Sequence, residues 1–123
     1  MKLEVGMYVR TKNKTLMPPQ VAKIINITKD SGYKNQYYIE IDKNLIPSYE
    51  FHIYQEDIVK ASYNIIDILE EDDYANEEVI TKIKEDKDGK YLVTIYNDVI
   101  RNKDIKSVIT HEQIEQISYR IGE

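Results

Sequence analysis

The chain has no cysteine and no tryptophan, only four glycines and three prolines, and a single phenylalanine beside 11 tyrosines. Lack of cysteine excludes a disulfide, a thiolate zinc site and a cysteine nucleophile. The longest apolar runs span a few residues, far short of the roughly 20 that cross a bilayer. Lys2 and Glu4 charge the N-terminus and no apolar stretch follows, so neither a signal peptide nor a membrane segment is expected. A cytoplasmic, non-membrane location fits these absences. The glycines stand alone at Gly6, Gly32, Gly89 and Gly122, which leaves no Walker loop and no GxGxxG; a GxSxG elbow is missing too. The expectation is therefore a protein that is not an enzyme and carries no cofactor.

What remains is a folding composition: 41% hydrophobic residues and tyrosine as the main aromatic, a residue that suits strands and interfaces because an apolar ring carries a polar tip. A length of 123 residues allows one domain or two very small ones. The net charge of −5 hides an asymmetry: residues 1 to 63 hold nine Lys/Arg against seven Asp/Glu (+2), residues 64 to 123 eight against fifteen (−7). Two equivalent nucleic-acid footprints would both be basic, so this divergence argues against them.

Local patterns read as strands. Val5 to Lys12 alternates after Gly6; a loop over Asn13 to Pro19 follows; Val21 to Thr28, with Val21, Ile25 and Ile27 inward, pairs across Asp30-Ser31-Gly32 with Gln36 to Asp42, whose Tyr37, Ile39 and Ile41 share a face. Tyr49 to Tyr54 alternates again, and Gln55-Glu56-Asp57 reads as one helical turn before a closing strand at Val59 to Ser62. The chain then repeats itself. Gln55 to Tyr63 recurs as His111 to Tyr119, with Glu, Ile, Ser and Tyr coinciding, Tyr74-Ala75 stands for Tyr8-Val9, Val79 for Val21, Tyr91, Val93 and Ile95 for Tyr37, Ile39 and Ile41, and Ile109 for Ile53. Ile65, Ile66, Ile68 and Leu69 have helical spacing. The expected fold is mainly β: two tandem five-stranded SH3-like barrels, 1–62 and 74–123, joined by a short helical connector over 63–73.

Candidate sites are few. His52 and His111 are far apart, HExxH fails after His111-Glu112, and both histidines are expected to face solvent, so no metal is predicted. Asp86-Lys87-Asp88-Gly89 resembles a calcium-loop fragment, but a hairpin turn with glycine supplying positive φ explains it more simply. Glu70, Glu71, Asp72, Asp73, Glu77 and Glu78 make a carboxylate run, either a solvated linker face or a patch for a basic protein partner. Tyr8, Arg10, Lys12 and Lys14 alternate onto one strand face, either ordinary surface charge or a stripe that neutralises phosphates while tyrosine stacks a base.

The opening Met1 to Lys12, the connector Ala61 to Leu69 and the segment Asp104 to Gln113 resemble uncharacterised proteins of phages and mobile elements from low-GC Gram-positive bacteria. The chain departs from that pattern at Asp72, where a glycine is usual. Such a resemblance implies a small non-catalytic protein that binds a host or phage protein, as an inhibitor of a host defence component such as a CRISPR effector. Nucleic-acid binding through the N-terminal half and sequestration of a small nucleotide are the alternatives; oligomeric state is left open.

Overall fold

In the computed structural model, residues 2–12, 19–29, 32, 34–41 and 50–115 are described. Expectations resting on other residues lie outside them: Lys14 and the loop over 13–18, the Asp30-Ser31 turn, the segment over 42–49, and the Ser118-Tyr119 end of the sequence repeat.

The chain is mainly β. β1 (Tyr8–Thr11), β2 (Val21–Lys29), β3 (Asn35–Ile41), β4 (Glu50–Ile53) and β5 (Ile58–Ser62) form an antiparallel sheet ordered β4-β3-β2-β1-β5. A second sheet contains β6 (Tyr74–Ala75), β7 (Glu78–Asp86), β8 (Gly89–Thr94), β9 (Val99–Arg101) and β10 (Val108–Ile109), ordered β10-β6-β7-β8-β9. Among the described residues no strand pairing closes either sheet into a barrel. Residues 111–115 are helical, and no described helix is long and apolar enough to cross a membrane.

The two sheets are built alike. A 3-10 turn precedes the last strand in each, at Gln55–Asp57 and at Asn102–Asp104. The ladder between β2 and β3 shifts register between Ile24 and Asn26, and that between β7 and β8 between Ile80 and Lys82. In each long strand the bulge keeps residues three apart on one core, Ile24 and Ile27 in β2 and Ile80 and Ile83 in β7. The strand entries also correspond. Gly6 N–H donates to Ile24 O and Ile24 N–H to Met7 O, each at 2.9 Å; Asp72 N–H donates to Ile80 O and Ile80 N–H to Asp73 O, each at 2.8 Å. Gly6 and Asp72 both have positive φ, 96° and 76°. Glycine adopts that region freely and aspartate does so at a cost, so position 72 enters its strand as a glycine would.

This correspondence corrects the repeat drawn from the sequence. One constant offset relates Ile53 to Ile100, Gln55–Asp57 to Asn102–Asp104, and Ser62 to Ile109, whereas the recurring segment at 55 and 111 joins a 3-10 turn to a helix that follows β10. Ile109 lies in β10 beside Tyr74, so the counterpart of Ile53 is Ile100; both of these are buried. In β8 the inward residues are Leu92 and Thr94, and Ile95 is 59% exposed. The expected Tyr91, Val93, Ile95 face is therefore one residue out of phase, and a one-residue slip moves every side chain to the other side. In β2 the bulge makes Ile24, not Ile25, the fully buried position.

Two cores result. Leu3, Val9, Ala22, Ile24, Tyr37, Ile39, Ile53 and Ile58 fill the first; Ile66, Ile68, Leu69, Ala75, Ile80, Leu92, Ile100 and Val108 fill the second together with Val21 from β2, and Tyr8 packs against it. The connector is a single 3-10 turn, Ile65–Ile68, whose isoleucines belong to the second core. Tyr8 and Arg10 do share a face of β1, as alternation predicts. That face is covered by the second half of the chain.

Candidate functional site

Arg10 sits in the middle of that covered face, 2% exposed. Its Nη1 donates to Asp73 Oδ2 at 2.7 Å and its Nη2 to Asp73 Oδ1 at 3.1 Å, a two-point pairing that matches the guanidinium fork to a carboxylate. Nη2 also donates to Glu112 Oε1 at 2.9 Å, Nη1 to Ile68 O at 3.3 Å, and Nε lies 3.4 Å from Glu70 Oε2. Asp73 is fully buried and accepts two further bonds, from Glu70 N–H and His111 N–H, at 2.8 and 2.9 Å. Strand β1, the connector end and the start of the last helix thus meet at one carboxylate. Burial opposes the charge on Arg10, but Asp73, then Glu70 and Glu112, outweigh it and raise the guanidinium pKa. Glu70 behaves conversely: burial would raise its pKa, and Arg10, Lys60 and His111 together hold it below its ordinary value.

Around this pair the remaining donors converge. His111 Nε2 lies 2.9 Å from Glu112 Oε1 and 3.4 Å from Glu70 Oε1, and Lys60 Nζ is 3.2 Å from Glu70 Oε2. His111 is half-buried, so the expectation of a solvent-facing histidine does not hold for it. Thr110 ties the same corner to the first half, its Oγ1 donating to Pro19 O at 2.6 Å.

The six-carboxylate run is divided by the fold. Asp73 is buried and Glu70 half-buried, both toward Arg10; Glu71 and Asp72 are exposed; Glu77 and Glu78 reach a different place. There they line an open cleft of about 660 Å³ with Asn76, Asp98, Val99, Asp104 and Lys106. Asn76 shapes its floor, taking N–H groups from Lys106 and Ser107 on Oδ1 at 2.7 and 3.2 Å and donating Nδ2 to Asp104 O at 2.9 Å. Asn76 and Glu77 both have positive φ, 52° and 69°, the requirement of a tight turn between twisted strands. Thr94 fastens the other wall: its hydroxyl donates to Glu78 Oε1 at 3.0 Å and accepts from Tyr96 and Asp98 N–H. A hydrogen bond with Asp98 raises the pKa of Glu78, the sign of two carboxyls crowded together. Ile95 and Tyr96 on the β8 to β9 turn and Val99 at the start of β9 are 59, 74 and 58% exposed.

The basic stripe is not a surface as a whole. Arg10 is consumed internally, Tyr8 is half-buried with Lys23 Nζ 5.7 Å from its ring centroid, and Lys12 is exposed. Gly89, at φ 109°, and the bond from Asp88 N–H to Asp86 Oδ1 make the Asp86 to Gly89 segment a hairpin turn. Beside it Arg101 pairs with Asp86 at 2.6 and 3.0 Å and stacks 4.9 Å from the centroid of Tyr91. Sequence reasoning missed the Arg10 cluster because its members come from positions 10, 60, 70, 73 and 111–112, with no local signal. Comparison with known proteins finds no matching family model, no matching curated protein and no matching solved structure.

Proposed function

We propose that the chain is a non-enzymatic protein-binding module made of two SH3-like units, with its working surface on the second unit. Support for the SH3-like reading is the common strand order, the 3-10 turn before the last strand and the shared bulge. The binding reading is carried by one observation: three large apolar side chains stand exposed around the β8 to β9 connection, Ile95 and Tyr96 on the turn and Val99 at the start of β9, where Val99 lines the cleft with Glu77, Glu78 and Asp98. Exposed apolar groups rimmed by charge of one sign favour a partner that brings an apolar anchor and basic residues, and tyrosine is a frequent anchor at such contacts. The resemblance to phage and mobile-element proteins makes that partner a host protein, on this reading a defence component.

The nucleic-acid alternative rests on Lys12 and Lys23 once Arg10 is removed from the surface. Capture from host lysate on immobilised protein, compared with Tyr96→Ser/Val99→Ser and Glu77→Lys/Glu78→Lys, tests the leading reading: a partner retained by the unsubstituted chain should be lost by both. Titration with duplex and single-stranded DNA and RNA at two salt concentrations tests the alternative. Salt-sensitive binding at micromolar or tighter affinity, weakened by Lys12→Glu/Lys23→Glu, would overturn the protein-binding reading.

A further inference from the structure

The charged junction carries more negative than positive charge among the described residues. Arg10 and Lys60 face Asp73, Glu70 and Glu112, two positive groups against three carboxylates, and Glu115 adds a fourth at the rim, 4.0 Å from His111 Nδ1. Beyond its two bonds to Asp73, Arg10 gives one N–H to Glu112 Oε1, and Glu70 Oε1 and Glu112 Oε1 are both turned to one imidazole nitrogen. A single ring N–H can serve one of two acceptor-only groups, not both.

We propose that Glu70, His111 and Glu112 form a binding site for a divalent transition-metal ion, with water completing the coordination. The spacings carry the argument. Tetrahedral ligands bound at about 2.0–2.2 Å stand roughly 3.3–3.6 Å from one another. The separations from His111 Nε2 are 2.9 and 3.4 Å, and all three ligand atoms lie within 4.8 Å of one another, so side-chain adjustments of well under 2 Å, on the order of ordinary rotamer freedom, would close the set. One imidazole with two carboxylates suits zinc or cobalt better than calcium or magnesium, which take oxygen donors. Supporting groups are already in place: Arg10 holds Glu112 and Lys60 holds Glu70, as outer hydrogen bonds hold the ligands of metal sites. The three side chains are partly exposed, so an ion can enter and water can occupy the remaining position. This site is separate from the acidic apolar cleft and does not depend on the protein-binding reading.

Titration of the full chain with Zn²⁺ and Co²⁺ tests the proposal, with Mg²⁺ and Ca²⁺ for comparison, by calorimetry and by the visible absorption of cobalt. The expected result is one ion per chain with micromolar or tighter affinity, a rise in unfolding temperature with metal, and an affinity loss of at least about tenfold in Glu70→Gln, His111→Gln and Glu112→Gln. His52→Gln, which removes the only other histidine, should bind as the unsubstituted chain does. To keep the test independent of variant folding, Co²⁺ added to the unsubstituted protein should broaden the NMR signals of one of its two imidazoles selectively. No binding at about millimolar metal, or binding that survives His111→Gln or disappears in His52→Gln, would overturn it.

Discussion

The two sheets share an order, a bulge and a closing 3-10 turn, yet the residues at matched places differ in kind. Met7 in the first stands where Asp73 stands in the second, Gly6 where Asp72 stands, Arg10 where Asn76 stands, and Ile39 where Thr94 stands. The core cluster of the first sheet is apolar, and its buried Arg10 is turned to the second half of the chain. The second has taken polar groups into equivalent positions, and each has a partner: Asp73 holds Arg10 of the first unit, Thr94 holds Glu78 and two backbone N–H groups, and Asn76 holds the 104–107 segment. The differences between the two sheets serve to join them and to shape a cleft, on a common strand order.

Substitutions at matched positions test that comparison. The largest effect is expected at the junction. Asp73→Ala takes the two-point partner from a buried guanidinium, leaving it only the partly exposed Glu112 and Glu70, and should cost about 3 kcal/mol in urea unfolding, the low end for breaking a buried pair. Arg10→Met combined with Asp73→Met should lose much less than the sum of the single changes; additive losses would mean that the pair does not act as a unit. Next comes Thr94→Val, which brings the second core closer to the first. It deprives Glu78 of a donor and two N–H groups of an acceptor, and about 1–3 kcal/mol should be lost without change in the denaturant slope. Asp72→Gly makes the strand entry match that of Gly6 and should raise stability by up to about 1 kcal/mol, read as a higher midpoint. No gain would show that Asp72 is held by more than its backbone.

The smallest effects concern pH. Arg101 holds the Asp86 carboxyl down to about 2 from its ordinary 3.8, and Glu70 also lies below its ordinary 4.5. Both are ionised more readily in the folded chain than in the unfolded one. Their contribution is therefore complete above about pH 4.5 and is lost as pH falls through the lowered values. Asp86→Asn should remove the part of that acid dependence lying between 3.8 and about 2, measured as unfolding midpoint against pH. Glu78 has the opposite sign: its raised pKa makes ionisation unfavourable in the folded chain, so Glu78→Gln, whose amide oxygen can still accept from Thr94, should stabilise at neutral pH by relieving the crowding with Asp98. A neutral-pH loss would show that the Thr94 bond outweighs the carboxyl crowding.

Strands and turns were legible wherever the signal is local. Alternation along Val5 to Lys12 and Gln36 to Asp42, the single turn at Gln55 to Asp57 and glycine at position 89 all led to the observed elements. Errors came where a local pattern is ambiguous. Lys90 to Ile95 carries apolar residues on both phases, and Tyr91, Val93 and Ile95 outnumber Leu92; the observed phase buries Thr94, whose hydroxyl is satisfied by Glu78 on the neighbouring strand and by the N–H groups of Tyr96 and Asp98. The bulges at Ile25 and Thr81 leave no mark in composition. Similarity of Gln55 to Tyr63 and His111 to Tyr119 suggests one alignment of the halves, while the two sheets match Ile53 with Ile100 across a different offset.

By itself, the sequence determined a mainly β chain, the turns that separate its strands, the apolar connector and the charge difference between its halves, because all of these depend on residues within a few positions of one another. Only the tertiary structure decided that Arg10 faces a carboxylate 63 positions away instead of solvent, that Glu70 and His111 converge 41 positions apart, and that of six closely spaced carboxylates two meet Arg10, two line a cleft and two are exposed. Period-two alternation tells which side of a strand a residue lies on; whether that side meets water or another part of the chain is settled by packing, and with it the meaning of every charge placed there.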